Sequence, residues 1–83
     1  MLEKAKARLR IKSAALDDDI NQLIAEAETD LKRIGIDKIM GGALYEAAVL
    51  CYVQAMFGNN PDRDKLLQSY DMYLTKLKGL KKS

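Results

Sequence analysis

The sequence contains no histidine, no tryptophan and only one cysteine. Without histidine the commonest general base is missing. A lone cysteine excludes an internal disulfide, and with no histidine beside it there is no ligand set for zinc. Cys51 falls inside the most apolar stretch, where a cysteine reads as a small buried hydrophobe. Hydroxyl side chains other than tyrosine are limited to Ser13, Thr29, Ser69, Thr75 and Ser83, and none has a plausible base beside it. Carboxylate pairs fall only on helix starts and polar helix faces. These absences point away from an enzyme, and no catalytic, metal or cofactor residue is expected. The N-terminus alternates apolar and basic residues instead of running apolar, so no signal peptide is expected.

What is present is ordinary for a globular chain, with 48% hydrophobic and 31% charged residues. Residues 1–83 allow one domain. The stretch Gly42 to Phe57, GALYEAAVLCYVQAMF, carries only Glu46 and Gln54 as firmly polar residues. Its apolar side chains spread right round a helical wheel, which requires burial on most sides. At about sixteen residues with a glutamate inside, it is too short and too polar for a membrane span. It reads as the central post of the only core.

Around that post the periodicity predicts three further helices. A short one runs from about Leu2 to Arg10, with Leu2, Ala5 and Leu9 on one face. After a link from Ile11 to Leu16, a long helix opens at Asp17-Asp18-Asp19. Its apolar stripe is Leu16, Ile20, Leu23, Ile24, Ala27, Leu31 and Ile34, and Gly35 is placed to end it. The triple aspartate suggests a cation, but the alternating ligands, glycine and terminal glutamate of a calcium loop are missing. N-terminal capping is the better reading. Ile36 to Gly41 reads as a turn-rich joint, and Gly41-Gly42 as a sharp bend into the post. Asn60 as N-cap with Pro61 at the first position starts the last helix, which should run to about Leu77. Its stripe is Leu66, Leu67, Tyr70, Tyr73, Leu74 and Leu77. Met72 falls on the far side, where it could meet another subunit, and residues 78–83 read as a frayed tail. The tyrosine hydroxyls are expected to reach the surface. The fold class is therefore all-α, a small bundle of one short and three longer helices around a buried central helix.

The net charge is +2, but it is unevenly laid out. Lys4, Lys6, Arg8, Arg10 and Lys12 lie in the first twelve residues, and Lys76, Lys78, Lys81 and Lys82 near the end. Asp17, Asp18, Asp19, Glu26, Glu28 and Asp30 occupy the second segment with no basic residue among them. Basic ends flanking an acidic segment could pair between copies or touch DNA. A small helical DNA-binding or regulatory protein using its basic termini is the alternative function. Against it, the most basic helix is short and follows no tight turn, and the last helix carries Asp62, Asp64 and Asp71.

Three segments together resemble a known family. Ala7-Arg8-Leu9-Arg10-Ile11, followed by Leu16-Asp17-Asp18-Asp19-Ile20 and Leu23-Ile24-Ala25-Glu26-Ala27, is similar to the family's opening. Asp30-Leu31-Lys32-Arg33-Ile34-Gly35-Ile36 is similar to its exit from the long helix. Tyr52-Val53-Gln54-Ala55-Met56-Phe57-Gly58, with Leu66, Ser69-Tyr70-Asp71, Leu74 and Leu77, resembles its two closing helices. The family is the small head–tail connector (adaptor) proteins of tailed bacteriophages and prophages, often labelled DNA-packaging proteins. The resemblance covers residues 2 to 77, with a joint at Ile36 to Gly41 shorter than in longer members. It implies a structural virion-assembly protein, made in the bacterial host cytoplasm and residing at the head–tail junction. It further implies a homo-oligomeric ring of about a dozen copies on the portal protein. That ring would present a surface to the next connector or tail-completion protein, and DNA would pass through it without specific binding; no membrane is implied. Subunits of such a ring meet head-to-tail. The candidate interface residues are Asp17, Asp18, Asp19, Glu26, Glu28 and Asp30, facing Lys4, Arg8, Arg10 or the terminal lysines of a neighbour, with Met72 as an apolar contact.

Overall fold

The computed structural model describes residues 1–81, and within them the chain forms four α-helices and no strand. They are α1 (Leu2–Leu9), α2 (Asp17–Arg33), α3 (Lys38–Met56) and α4 (Arg63–Lys81). The all-α bundle expected from periodicity is the fold observed. Its extents are 42 × 24 × 18 Å. α3 packs against each of the other three helices, most extensively against α4. It is long and apolar enough to cross a bilayer by composition, but it serves as the core post. Tyr45, Ala48, Val49, Leu50, Cys51, Val53 and Ala55 are all buried along it.

Local chemistry explains where each helix begins and ends, and corrects several expected boundaries. α1 stops one residue before Arg10, which is itself in the left-handed region (φ 58°, ψ 39°). In that conformation its N–H donates to Ala7 O, while the Ile11 N–H reaches Lys6 O at 3.0 Å, closing the helix with an arginine where glycine is usual. Asp17, Asp18 and Asp19 lie in the first turn of α2, after Leu16 at the N-cap, and no side chain makes a capping hydrogen bond there. Capping as such is therefore not their role. Their favourable term is the charge–dipole interaction of the first turn. Because Leu16 precedes the first turn it misses the core stripe and stays 38% exposed, whereas Ile20, Ile24, Ala27 and Leu31 are buried as expected. Gly35 (φ 84°) ends α2, and the Ile36 N–H bonds back to Leu31 O at 2.9 Å.

The joint before the post is more helical than the sequence suggests. Asp37 accepts a hydrogen bond from the Met40 N–H at 2.7 Å, so a helical turn starts at Lys38. Gly42 then breaks the ladder (φ 54°, ψ −130°), and the long apolar run begins beyond it. At the other end Phe57 is extended and Gly58 (φ 62°) turns the chain towards α4. Asn60 accepts from the Asp62 N–H and donates to Gln54 O, tying this turn to α3. Arg63 does the same with its guanidinium, donating to Ala55 O and Gly58 O at the carbonyl-rich end of α3. α4 starts two residues later than expected, and it continues past Leu77 to Lys81. Lys82 and Ser83 of the tail lie outside the described residues.

α4 returns antiparallel along α3. The Cys51 thiol donates to Leu66 O at 3.0 Å near one end, and Leu77 lies against Gly41 at the other. Burial pushes the Cys51 thiol pKa up. A buried thiol with a raised pKa is a packing residue.

Candidate assembly surface

The side chains singled out in the sequence divide into those used within the chain and those that face solvent. α2 and α3 lie side by side, so the acidic residues of α2 come against the tyrosines of the post and of α4. Tyr45 donates to Glu28 at 3.0 Å, Tyr52 to Glu26 at 2.9 Å and Tyr70 to Asp30 at 3.2 Å. The rings of Tyr52 and Tyr70 are 5.3 Å apart and tilted at 51°, so the hydroxyls stand in a packed row. The hydroxyls therefore end on carboxylates of α2 and not simply in solvent. A phenol here satisfies its O–H while its ring fills the core.

Burial, and then the hydrogen bond to Glu28, pushes the Tyr45 pKa up to about 12. Burial followed by the bond to Glu26 does the same for Tyr52. Tyr70 is raised further by burial and by the charge of Asp30. Raised phenol pKa values stabilise the fold while the phenols stay protonated. That contribution is fully present below pH 10, the ordinary tyrosine value, and is lost as pH rises through about 12. An alkaline titration should therefore show helix loss and tyrosinate formation rising together above pH 10. Tyrosinate absorbance, followed alongside circular dichroism, checks this. Phenols all titrating at the ordinary value with the helices intact would contradict the row.

Other expected interface charges also meet partners inside the chain. Lys4 lies 2.6 Å from Glu46, and its ammonium holds the Glu46 carboxyl below its usual range. Lys6 lies 2.8 Å from Asp17 Oδ1, which is shielded from water. That approach is off the hydrogen-bonding direction, so the contact is an ion pair only. Asp30 takes Arg33 at 2.7 Å as well as Tyr70. Ion pairs as exposed as Lys4–Glu46 contribute little net stability. Among the described residues, the side chains of Asp18, Asp19, Arg8 and Arg10 make no ion pair or hydrogen bond, and all four are exposed. Met72 is 61% exposed on the outer side of α4.

The structure adds features that sequence reasoning missed. A groove of about 410 Å³ opens between the first half of α2 and the end of α3. Leu16, Leu23, Met56 and Phe57 give it an apolar lining, with Asp19 and Glu26 at its edge. Ile39, on the short turn before Gly42, is 95% exposed beside a half-exposed Met40. Only the recognition of Asp37 as a cap would have placed that turn on a helix. Among the described residues no group of three or more acidic or cysteine side chains is arranged to hold a metal ion.

The arrangement is thus a row of tyrosine–carboxylate hydrogen bonds made within the chain, beside an apolar groove lined also by Asp19 and Glu26. A family model described as phage connector protein matches residues 1–82. No curated protein and no solved structure matches the chain.

Proposed function

The chain belongs to the phage connector protein family, and from that membership we propose that it joins the DNA-filled head to the tail as a ring seated on the portal protein. The family is structural and non-enzymatic, and a connector is a component of the virion. The observation that carries the reading is the span of the match, which takes in all four helices and the three links between them. Residues 1–83 act in this reading as one connector domain. About a dozen copies close the ring head-to-tail, and each offers its outer rim to the next connector or tail-completion protein. DNA passes through without specific binding. In support, Lys4 and Lys6 of the most basic segment are neutralised within the chain by Glu46 and Asp17. The protein is made in the host cytoplasm and ends at the head–tail junction.

Quantitative mass spectrometry of purified particles tests this directly. The chain should be recovered in roughly the copy number of the portal protein, as matched rings require. Its complete absence from finished particles would overturn the reading.

A further inference from the structure

Folding leaves two surfaces whose chemistry is complementary. The first is the groove beside α2. Its hollow is apolar, through Leu16, Leu23, Met56 and Phe57, and its edge is acidic, through Asp19 and Glu26. Asp19 has no partner among the described residues, and the Glu26 carboxylate meets only the neutral phenol of Tyr52. Its negative charge is therefore uncompensated.

The second is the outer face of α4. Lys65, Ser69, Met72 and Lys76 follow one another at i, i+4, i+7 and i+11, and so share one side of the helix. The opposite side, with Tyr70 and Leu77, is buried against the core. The outer row carries no carboxylate. Met72, at 61% exposure, is its most prominent apolar group, next to a shallow depression of about 100 Å³ shared with Ser69 and Lys76.

The charges match, and long flexible lysine side chains can take up the difference in spacing. The two lysines of the row stand ~16 Å apart along α4 and the two carboxylates ~10 Å apart along α2. At about 1.5 Å per residue, Asp19 and Glu26 stand ~10 Å apart along α2 with Leu23 between them. On α4, Met72 stands ~6 Å from Lys76 and ~10 Å from Lys65. A thioether flanked by two ammonium groups thus faces an apolar hollow flanked by two carboxylates. Methionine adapts readily to an irregular hollow. Where each copy gives its row to one neighbour and its groove to another, the pairing is heterologous, which is the geometry that builds rings.

We propose that the α4 row of one copy seats in the α2 groove of the next, with Met72 in the hollow and Lys65 and Lys76 against Glu26 and Asp19. This rests on the ring reading and names its subunit contact. It also moves the intersubunit role away from Glu28 and Asp30, which are half-buried under Tyr45 and Tyr70, whereas Glu26 stays exposed while it accepts from Tyr52.

The test uses the full chain, concentrated at low salt and also added to tail-less heads that carry portal, with rings scored by electron microscopy. Asp19→Lys and Lys76→Asp should each reduce ring formation about tenfold or more through like-charge contact, and the double exchange should restore it. Both positions are exposed, so circular dichroism should show unchanged helix content. Independently, chains carrying Gln22→Cys, mixed with chains carrying Met72→Cys, should cross-link between copies through a short bismaleimide. Wild-type rings that persist in both single exchanges, with no cross-link, would overturn this contact and leave the ring reading standing. Cross-linking of the groove cysteine to the portal protein would likewise overturn it. A wild-type chain that forms no ring in solution or on heads would remove the ring reading and this contact together.

Discussion

Leu77→Ala is expected to lower the free energy of unfolding by about 2–5 kcal/mol, the range for emptying a fully buried leucine site. Leu77 is 0% exposed and closes the end of the bundle where α4 meets the first turn of α3. Small domains have only about 5–15 kcal/mol in total, so the variant would lose a large share of its stability. A urea titration should show the midpoint falling with little change in slope. The site has little scope to collapse, because Gly41 on the facing helix has no side chain to move in. A loss below about 1 kcal/mol would mean that this end is not packed as described. The same variant should reach particles in reduced amount, since marginal stability lowers the folded population in the cell.

The second large effect lies at the adjacent glycine pair, and there the two positions should fail for different reasons. A Cβ on Gly41 would stand 2.6 Å from the Cβ of Tyr45 and 3.1 Å from Leu77 Cδ2. The Tyr45 Cβ is fixed to its backbone and cannot swing aside, so Gly41→Ala forces the helix turn and the post apart. Overpacking of this kind costs about 1–3 kcal/mol. A Cβ on Gly42 would meet nothing within 4 Å, but φ 54° with ψ −130° is a conformation that only glycine adopts without strain. Gly42→Ala should therefore cost about 1–3 kcal/mol through the backbone alone. Combining each with Leu77→Ala separates the mechanisms. Trimming Leu77 should relieve part of the Gly41→Ala penalty, though not the clash with Tyr45. It should relieve none of the Gly42→Ala penalty. Additivity of Gly41→Ala with Leu77→Ala would contradict the close approach, since contacting sites couple and distant ones add.

These two predictions concern the end of the molecule that carries Ile39. An isoleucine 95% exposed on a short helical turn adds nothing to the core. The glycine bend sets the direction in which that turn projects.

The sequence by itself determined the fold class, the number of helices and most of each buried face. Those features follow from a 3.6-residue period that one chain displays directly: Ile20, Ile24, Ala27 and Leu31 on α2, Tyr70 and Leu77 on α4, and an apolar run on α3 with no polar side. Gly35 as a helix stop was legible for the same reason, because left-handed backbone is local chemistry. The resemblance carried by Leu9-Arg10-Ile11, Leu31 to Ile36 and Tyr52 to Gly58 already pointed to the family that the match over residues 1–82 establishes. What only the tertiary structure decided is which charges are paired within the chain and which stay exposed. Lys4 and Glu46 are 42 positions apart, and Tyr70 and Asp30 are 40 apart, so no periodicity connects them. An acidic segment in sequence looks uniformly available. In the bundle, Glu28 and Asp30 are half-buried and accept hydrogen bonds from tyrosines, Glu26 accepts one while remaining exposed, and Asp18 and Asp19 stay open to solvent. Likewise Gly41 and Gly42 are alike as letters. Their different roles arise because α4 closes on the first and the backbone turns through the second, and only packing in three dimensions makes that distinction.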